Sequence, residues 1–112
     1  MFYEIRNYHF DPELFEEYKK WSREIAYPYA KTKFDIVGFW LKNDMPVEYG
    51  GSLPLDEGVG PSNVTWVIRW RDLEHRKKGW EDFRSEWGPI TSLVPGGQKS
   101  YLREEVKFAE SI

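Results

Sequence analysis

The stretch Phe2-Tyr3-Glu4-Ile5-Arg6-Asn7-Tyr8-His9-Phe10 alternates with a period of two, and successive side chains of a strand point to opposite faces of a sheet, so it predicts a first β-strand. One face holds Tyr3, Ile5, Asn7 and His9, and the other holds Phe2, Glu4, Arg6, Tyr8 and Phe10. The Tyr3/Ile5 side has the character of ordinary core. It is therefore expected to meet the helices, which puts the polar row Glu4, Arg6, Tyr8 on the open side of the sheet.

Past this strand, Asp11 suits a helix N-cap and Pro12 the first helical position, with Phe10 and Phe15 placed to form a hydrophobic staple. Leu14, Tyr18, Trp21 and Ile25 recur at helical spacing, while Glu13, Glu16, Glu17, Lys19, Lys20 and Arg23 fill the outer face. Pro28 disfavours helical geometry at Tyr27, which predicts a kink or break there and a further turn to Lys33. Phe34 to Lys42 predicts a second strand.

Asn43 to Ser62 carries four glycines and three prolines without periodicity and is expected to be a loop, either a lid over a pocket mouth or a plain insertion. Asn63 to Trp70 predicts a third strand, with Val64, Trp66, Ile68 and Trp70 on one face. Asp72 suits the cap of a second helix whose core side holds Leu73, Trp80, Phe83 and Trp87. Gly79 weakens that helix by about 1 kcal/mol against Ala, and Gly88-Pro89 is expected to end it. Gln98 to Phe108 predicts a fourth strand.

The order β-α-β-β-α-β predicts a single α+β domain over residues 1–112, with both helices on one face of an antiparallel, ferredoxin-like sheet. Phe2, Tyr8, Phe10, Trp66 and Trp70 are expected on the uncovered face. Such an apolar patch is commonly covered by packing two copies together, so a homodimer is expected.

Composition narrows the function classes. A chain of 112 residues buries one core and has little interior left for a large private cavity, yet 18% of it is aromatic, so some rings are expected to meet a ligand or a partner. With a net charge of -3 and interleaved signs, nucleic acid and anionic membrane are not expected partners. The absence of cysteine excludes disulfides, thiolate nucleophiles and cysteine-ligated metal. Met1 to Arg6 lacks the pattern of a leader, and no segment approaches a membrane span, so a cytoplasmic protein is expected.

Three runs carry a family resemblance: Tyr3-Glu4-Ile5-Arg6-Asn7-Tyr8, Phe34-Asp35-Ile36-Val37-Gly38-Phe39-Trp40, and Trp70-Arg71-Asp72-Leu73-Glu74-His75-Arg76. In order and approximate spacing the chain resembles a NIPSNAP domain of the dimeric α+β barrel superfamily. The resemblance implies a ferredoxin-like protomer that dimerises through its sheets and encloses a cavity. It also brings an enzymatic alternative, since the wider superfamily includes cofactor-independent monooxygenases and isomerases. The chain departs from the pattern in the long Asn43 to Ser62 loop and in Trp66, which stands where many relatives have His. A role that needs an imidazole there loses its support.

Glu4, Arg6 and Tyr8 share one strand face. In an aromatic cavity Glu4 can serve as general base, Arg6 can hold a carboxylate or enolate, and Tyr8 can donate to an oxyanion. The alternative is a structural ion pair between Glu4 and Arg6. Trp40, Trp66 and Trp70 can stack on a planar ligand or form dimer core, and His9 is a further ligand-site candidate if the strand end borders the cavity. His9 and His75 otherwise suit surface or capping roles, and neither has a second ligand at metal spacing, so no metal or cofactor is expected. Ser22, Ser85 and Ser100 lack the glycines of a nucleophile elbow, and Gly58-Val59-Gly60-Pro61 lacks the lysine of a phosphate loop. The third strand lacks the basic-Gly-aromatic opening of an RNA-recognition module.

Overall fold

The computed structural model describes residues 1–55 and 58–112. The alternating first run forms strand β1, Phe2–Phe10. It pairs antiparallel with β3, Val64–Trp70, on one side and with β4, Tyr101–Ala109, on the other, and β2, Ile36–Leu41, pairs antiparallel with β3. The resulting order β2-β3-β1-β4 puts β1 and β3 in the middle of the sheet. With the helices following β1 and β3, this is the ferredoxin-like α+β arrangement.

The faces of β1 are the reverse of the sequence expectation. Glu4, Tyr8 and Phe10 are buried beneath the helices, whereas Tyr3, Ile5, Asn7 and His9 point to the uncovered side and stay partly accessible. Register carries this across the sheet, because Phe2, Glu4, Arg6 and Tyr8 stand opposite Trp70, Ile68, Trp66 and Val64, all four of which are buried. The aromatic patch expected on the open face is thus the core itself, with Phe10 on Tyr18 at 4.1 Å between ring centroids and Trp66 facing Trp80 at 6.2 Å. A period of two groups residues by face but is silent on which face is covered. Here the polar row is buried because Glu4, Arg6 and Tyr8 are hydrogen-bonded to one another in series.

The helical segment after β1 opens as expected at its cap, where the Asp11 carboxylate accepts from the Glu13 N–H at 3.0 Å. A 3₁₀ turn, Pro12–Leu14, leads into α1, Phe15–Trp21. Pro28 does not break the chain's helical course. The turn Ser22–Ala26 widens to a π-helix and Tyr27 N–H donates to the Ser22 carbonyl, five residues back, before α2, Tyr27–Lys33, continues. The extra residue in that turn accommodates the proline, whose ring would otherwise press on a carbonyl and which has no N–H to give.

Phe34 ends α2 in extended conformation instead of beginning β2, and its ring packs on Trp80 at 4.7 Å and Phe83 at 4.9 Å. Among the described residues, no helix or strand lies between Leu41 and Val64; Asp56 and Glu57 of the expected loop are outside the described residues. Asn63 at its end closes on β1, its side chain accepting from Phe10 N–H and donating to Phe10 C=O, both at 2.9 Å.

Helix α3, Leu73–Thr91, is capped by Asp72, which accepts from His75 N–H at 2.8 Å. It runs through Gly88-Pro89 rather than ending there, because Pro89 falls in the last turn, where a missing N–H costs one bond. Trp80 and Phe83 are buried and Trp87 half-buried, but Leu73, expected in the core, is exposed. Among the described residues no helix is long and apolar enough to cross a membrane.

Gly79 has a packing reason that outweighs its poor helix propensity. A Cβ at this position would lie 2.6 Å from the ring of the buried Trp70. Gly79→Ala is therefore expected to destabilise the fold by up to about 2 kcal/mol, the overpacking cost of about 1 to 3 kcal/mol less the roughly 1 kcal/mol gained in helix propensity. Urea denaturation of both proteins measures the difference, and a more stable variant would contradict this packing.

Candidate functional site

Glu4 has no exposure to solvent, and its carboxylate is surrounded by donors from three elements. Oε1 accepts from Trp70 Nε1 at 2.9 Å, Arg76 Nε at 2.7 Å and Trp80 Nε1 at 3.2 Å. Oε2 accepts from Arg6 Nη1 at 2.6 Å. Burial alone would raise the pKa of this carboxyl, but the hydrogen bonds from Arg76, Arg6, Trp80 and Trp70 together outweigh it and hold the group below its ordinary value. Glu4 is an ionised anchor sealed from solvent and held by four donors, not a base presented to a substrate.

Arg6 passes this anchoring on to the next residue of the row. Burial would lower its pKa, but Tyr8 and Glu4 overcome that and raise it, so the guanidinium stays charged. Its Nε donates to Tyr8 Oη at 2.8 Å, and its Cζ lies 4.8 Å from the Trp80 ring centroid and 5.9 Å from that of Trp66. Tyr8 Oη accepts a second hydrogen bond from Trp66 Nε1 at 2.9 Å. Burial dominates at Tyr8 and raises its pKa, so the phenol keeps its proton.

Arg6, Tyr8 and Trp66 form the sheet wall of a cavity of about 320 Å³ between the sheet and the helices. Tyr18, Trp21, Ala26 and Ala30 supply the wall from the first helical segment, and Trp80, Phe83 and Trp87 the wall from α3. Arg84 and Glu104, both exposed, stand at its rim. Small alanines on one side and flat indoles on the other leave a slot suited to a planar molecule.

Of the residues expected at the site, the structure therefore brings Arg6, Tyr8 and Trp66 together. Glu4 lies beneath Arg6 and does not line the cavity, and Trp70 is spent on holding Glu4. Trp40 is half exposed at the sheet edge, on a separate cleft of about 240 Å³ beside Arg23 and Tyr27. His9 points to the uncovered face, away from the cavity, and His75 serves the α3 cap, its Nδ1 accepting from Arg71 N–H at 3.0 Å. Helical spacing marks Tyr18 and Trp21 as core but not as cavity residues, and it does not reveal Arg76 as a partner of Glu4. The signal for Arg76 is its position one turn before Trp80 on the same helix face. Among the described residues, no group of three or more His, Asp or Glu side chains is placed to hold a metal.

An antiparallel β2-β3-β1-β4 sheet roofed on one face by helices, with an aromatic cavity between the layers, defines the class as ferredoxin-like α+β. Neither a family model nor a curated protein matches the sequence. Solved structures do. An uncharacterized NIPSNAP domain protein from Burkholderia xenovorans superposes with a TM-score of 0.72 at 15% identity, over 100% of this chain and 95% of its own. A NIPSNAP family protein from Agrobacterium tumefaciens gives 0.70 at 16% identity, over 99% and 92%. A second from the same organism, described as of unknown function, gives 0.71 at 18% identity, over 99% and 87%. The chain has the fold of NIPSNAP domain proteins.

Because Glu4 is depressed on folding, it stabilises the protein above its unfolded value of 4.5, and that contribution is lost as pH falls through the lower folded value. Glu4→Gln is expected to cost about 3 kcal/mol at pH 7, as for one member of a buried ion pair, and to flatten the acid limb of the stability profile. Denaturant midpoints measured from pH 7 to pH 3 check both effects. A variant as stable as wild type at pH 7 would remove Glu4 from this role.

Proposed function

We propose that this chain is a NIPSNAP-like homodimeric domain that binds a small apolar or aromatic molecule in the cavity under its helices. The observation that carries the reading is a preformed slot of about 320 Å³, walled by indole and phenol rings and with Arg6 and Tyr8 at its polar end. Its volume is at the lower end of the range for small-molecule sites, about 300 to 1,000 Å³. The alternative, a cofactor-independent enzyme using Glu4, Arg6 and Tyr8, has less support, because Glu4 has no exposure and does not line the cavity.

The dimer contact is formed by the residues that occupy the uncovered face. Tyr3, Ile5 and Val67 lie there among Asn7, Thr65 and Arg69, with no helix above them. A mixed face of this kind suits an isologous contact between sheets.

Four of the six tryptophans line the cavity, so a ligand reports its own binding through intrinsic fluorescence. Titration with 2-naphthol is expected to give saturable quenching in wild type and little in Ala26→Leu, which fills the slot. Linear, unsaturable quenching in both proteins would reject the binding site. Light scattering at micromolar concentration is expected to give twice the chain mass of 13.4 kDa, and a monomer would reject the dimer.

A further inference from the structure

The Arg6 and Tyr8 end of the cavity offers donors alone, whereas Tyr18, Gln98 and Tyr101 elsewhere on its wall can both donate and accept. Tyr8 Oη already accepts from Arg6 Nε at 2.8 Å and from Trp66 Nε1 at 2.9 Å. A phenol oxygen has two lone pairs, so what Tyr8 has left is its O–H, a donor. Arg6 uses Nε on Tyr8 and Nη1 on Glu4, and a guanidinium carries five N–H groups, so the outer edge of Arg6 also has only donors to offer. Trp21 and Thr91 also line the cavity, but Trp21 Nε1 and Thr91 Oγ1 are themselves sealed from it.

The charges lean the same way. One carboxylate, Glu4, is shared between two guanidinium groups, Arg6 and Arg76, which leaves the buried cluster with a positive surplus. The other charged groups near the cavity, Arg84 and Glu104, are opposite in sign and exposed at the rim, where water screens them. Glu4 itself has no exposure and does not line the cavity, so its carboxylate is not presented to a ligand.

We infer that the cavity selects an aromatic carboxylate, its anionic oxygens taking the Tyr8 O–H and the free edge of Arg6 while its ring lies among Trp66, Trp80 and the alanines of the opposite wall. Buried donors without acceptors are costly, and a bound anion relieves several at once through charge-assisted hydrogen bonds, the stronger kind. Apolar aromatics of equal size fill the slot but leave these donors unmet. This inference rests on the binding reading above and adds the chemical class of the ligand.

Isothermal titration of the wild-type protein with 2-naphthoate and its neutral analogue 2-naphthamide separates the two claims, since the pair share a ring system and differ in charge. The carboxylate is expected to bind about tenfold more tightly or better, the scale set by hydrogen bonds to a charged group, and to keep that preference in 0.5 M NaCl because the anchoring groups are buried. In Tyr8→Phe the ratio is expected to narrow several-fold. Equal binding of acid and amide, or a preference that disappears in salt, would overturn the anion inference and leave the binding reading standing. If neither compound binds, both fall. The wild-type comparison decides the matter even if Tyr8→Phe does not fold.

Discussion

A carboxylate without access to water sits at the centre of the covered face of the sheet, and the elements around it are arranged to keep it charged. An isolated ionised group in such a place costs several kcal/mol, so Glu4 is tolerated only while donors surround it. Those donors come from β1 itself, from β3 and from α3: Arg6, Trp70, and the pair Arg76 and Trp80. The register of β1 against β3 and the docking of α3 onto the sheet must both be right for all four to arrive. Gly79 belongs to the same device, because its missing side chain lets the Trp70 ring slide beneath α3 and reach Glu4.

The cavity inherits its order from this cluster. Glu4 orients Arg6, Arg6 and Trp66 fix the Tyr8 oxygen, and the result is a donor-rich end to a slot whose other walls are stiff aromatic rings. The rings support one another in a continuous run: Phe34 against Phe83 at 4.9 Å, Phe83 against Trp87 at 4.7 Å, and Trp87 against Tyr29 at 5.4 Å. Preorganisation of this kind reduces the ordering cost of binding, which is how a small domain with one modest cavity can discriminate among ligands.

Much of the architecture was legible in local pattern. Alternation in Phe2–Phe10 and Val64–Trp70, the caps at Asp11 and Asp72, and the β-α-β-β-α-β order all reappear in the structure. What local pattern misjudged depended on distant partners. Alternation alone assigns Glu4 and Arg6 to the open side of the sheet, because Arg76 and Trp80, which make their burial beneath the helices possible, lie some seventy positions away. Pro28 looked like a break because nothing in the sequence announces the π-turn that absorbs it. The grouping of Glu4, Arg6 and Tyr8 was right, since two-residue spacing is a backbone property. Their division into an anchor and a cavity-facing pair was not readable, and neither was the placement of Trp40, Trp70 and His9 away from the cavity, because each follows from three-dimensional neighbours.

The state of the Glu4 carboxylate is the central claim, and a ¹³C NMR titration of the side-chain carboxyl carbons, with Glu4 assigned by comparison with Glu4→Asp or Glu4→Gln, observes it directly. The account predicts a Glu4 midpoint below the ordinary 4.5, with the signal of the ionised form persisting while the exposed glutamates titrate. A Glu4 midpoint above 4.5 in the folded protein would show a neutral buried acid instead, and would contradict the anchored ion on which the site has been built.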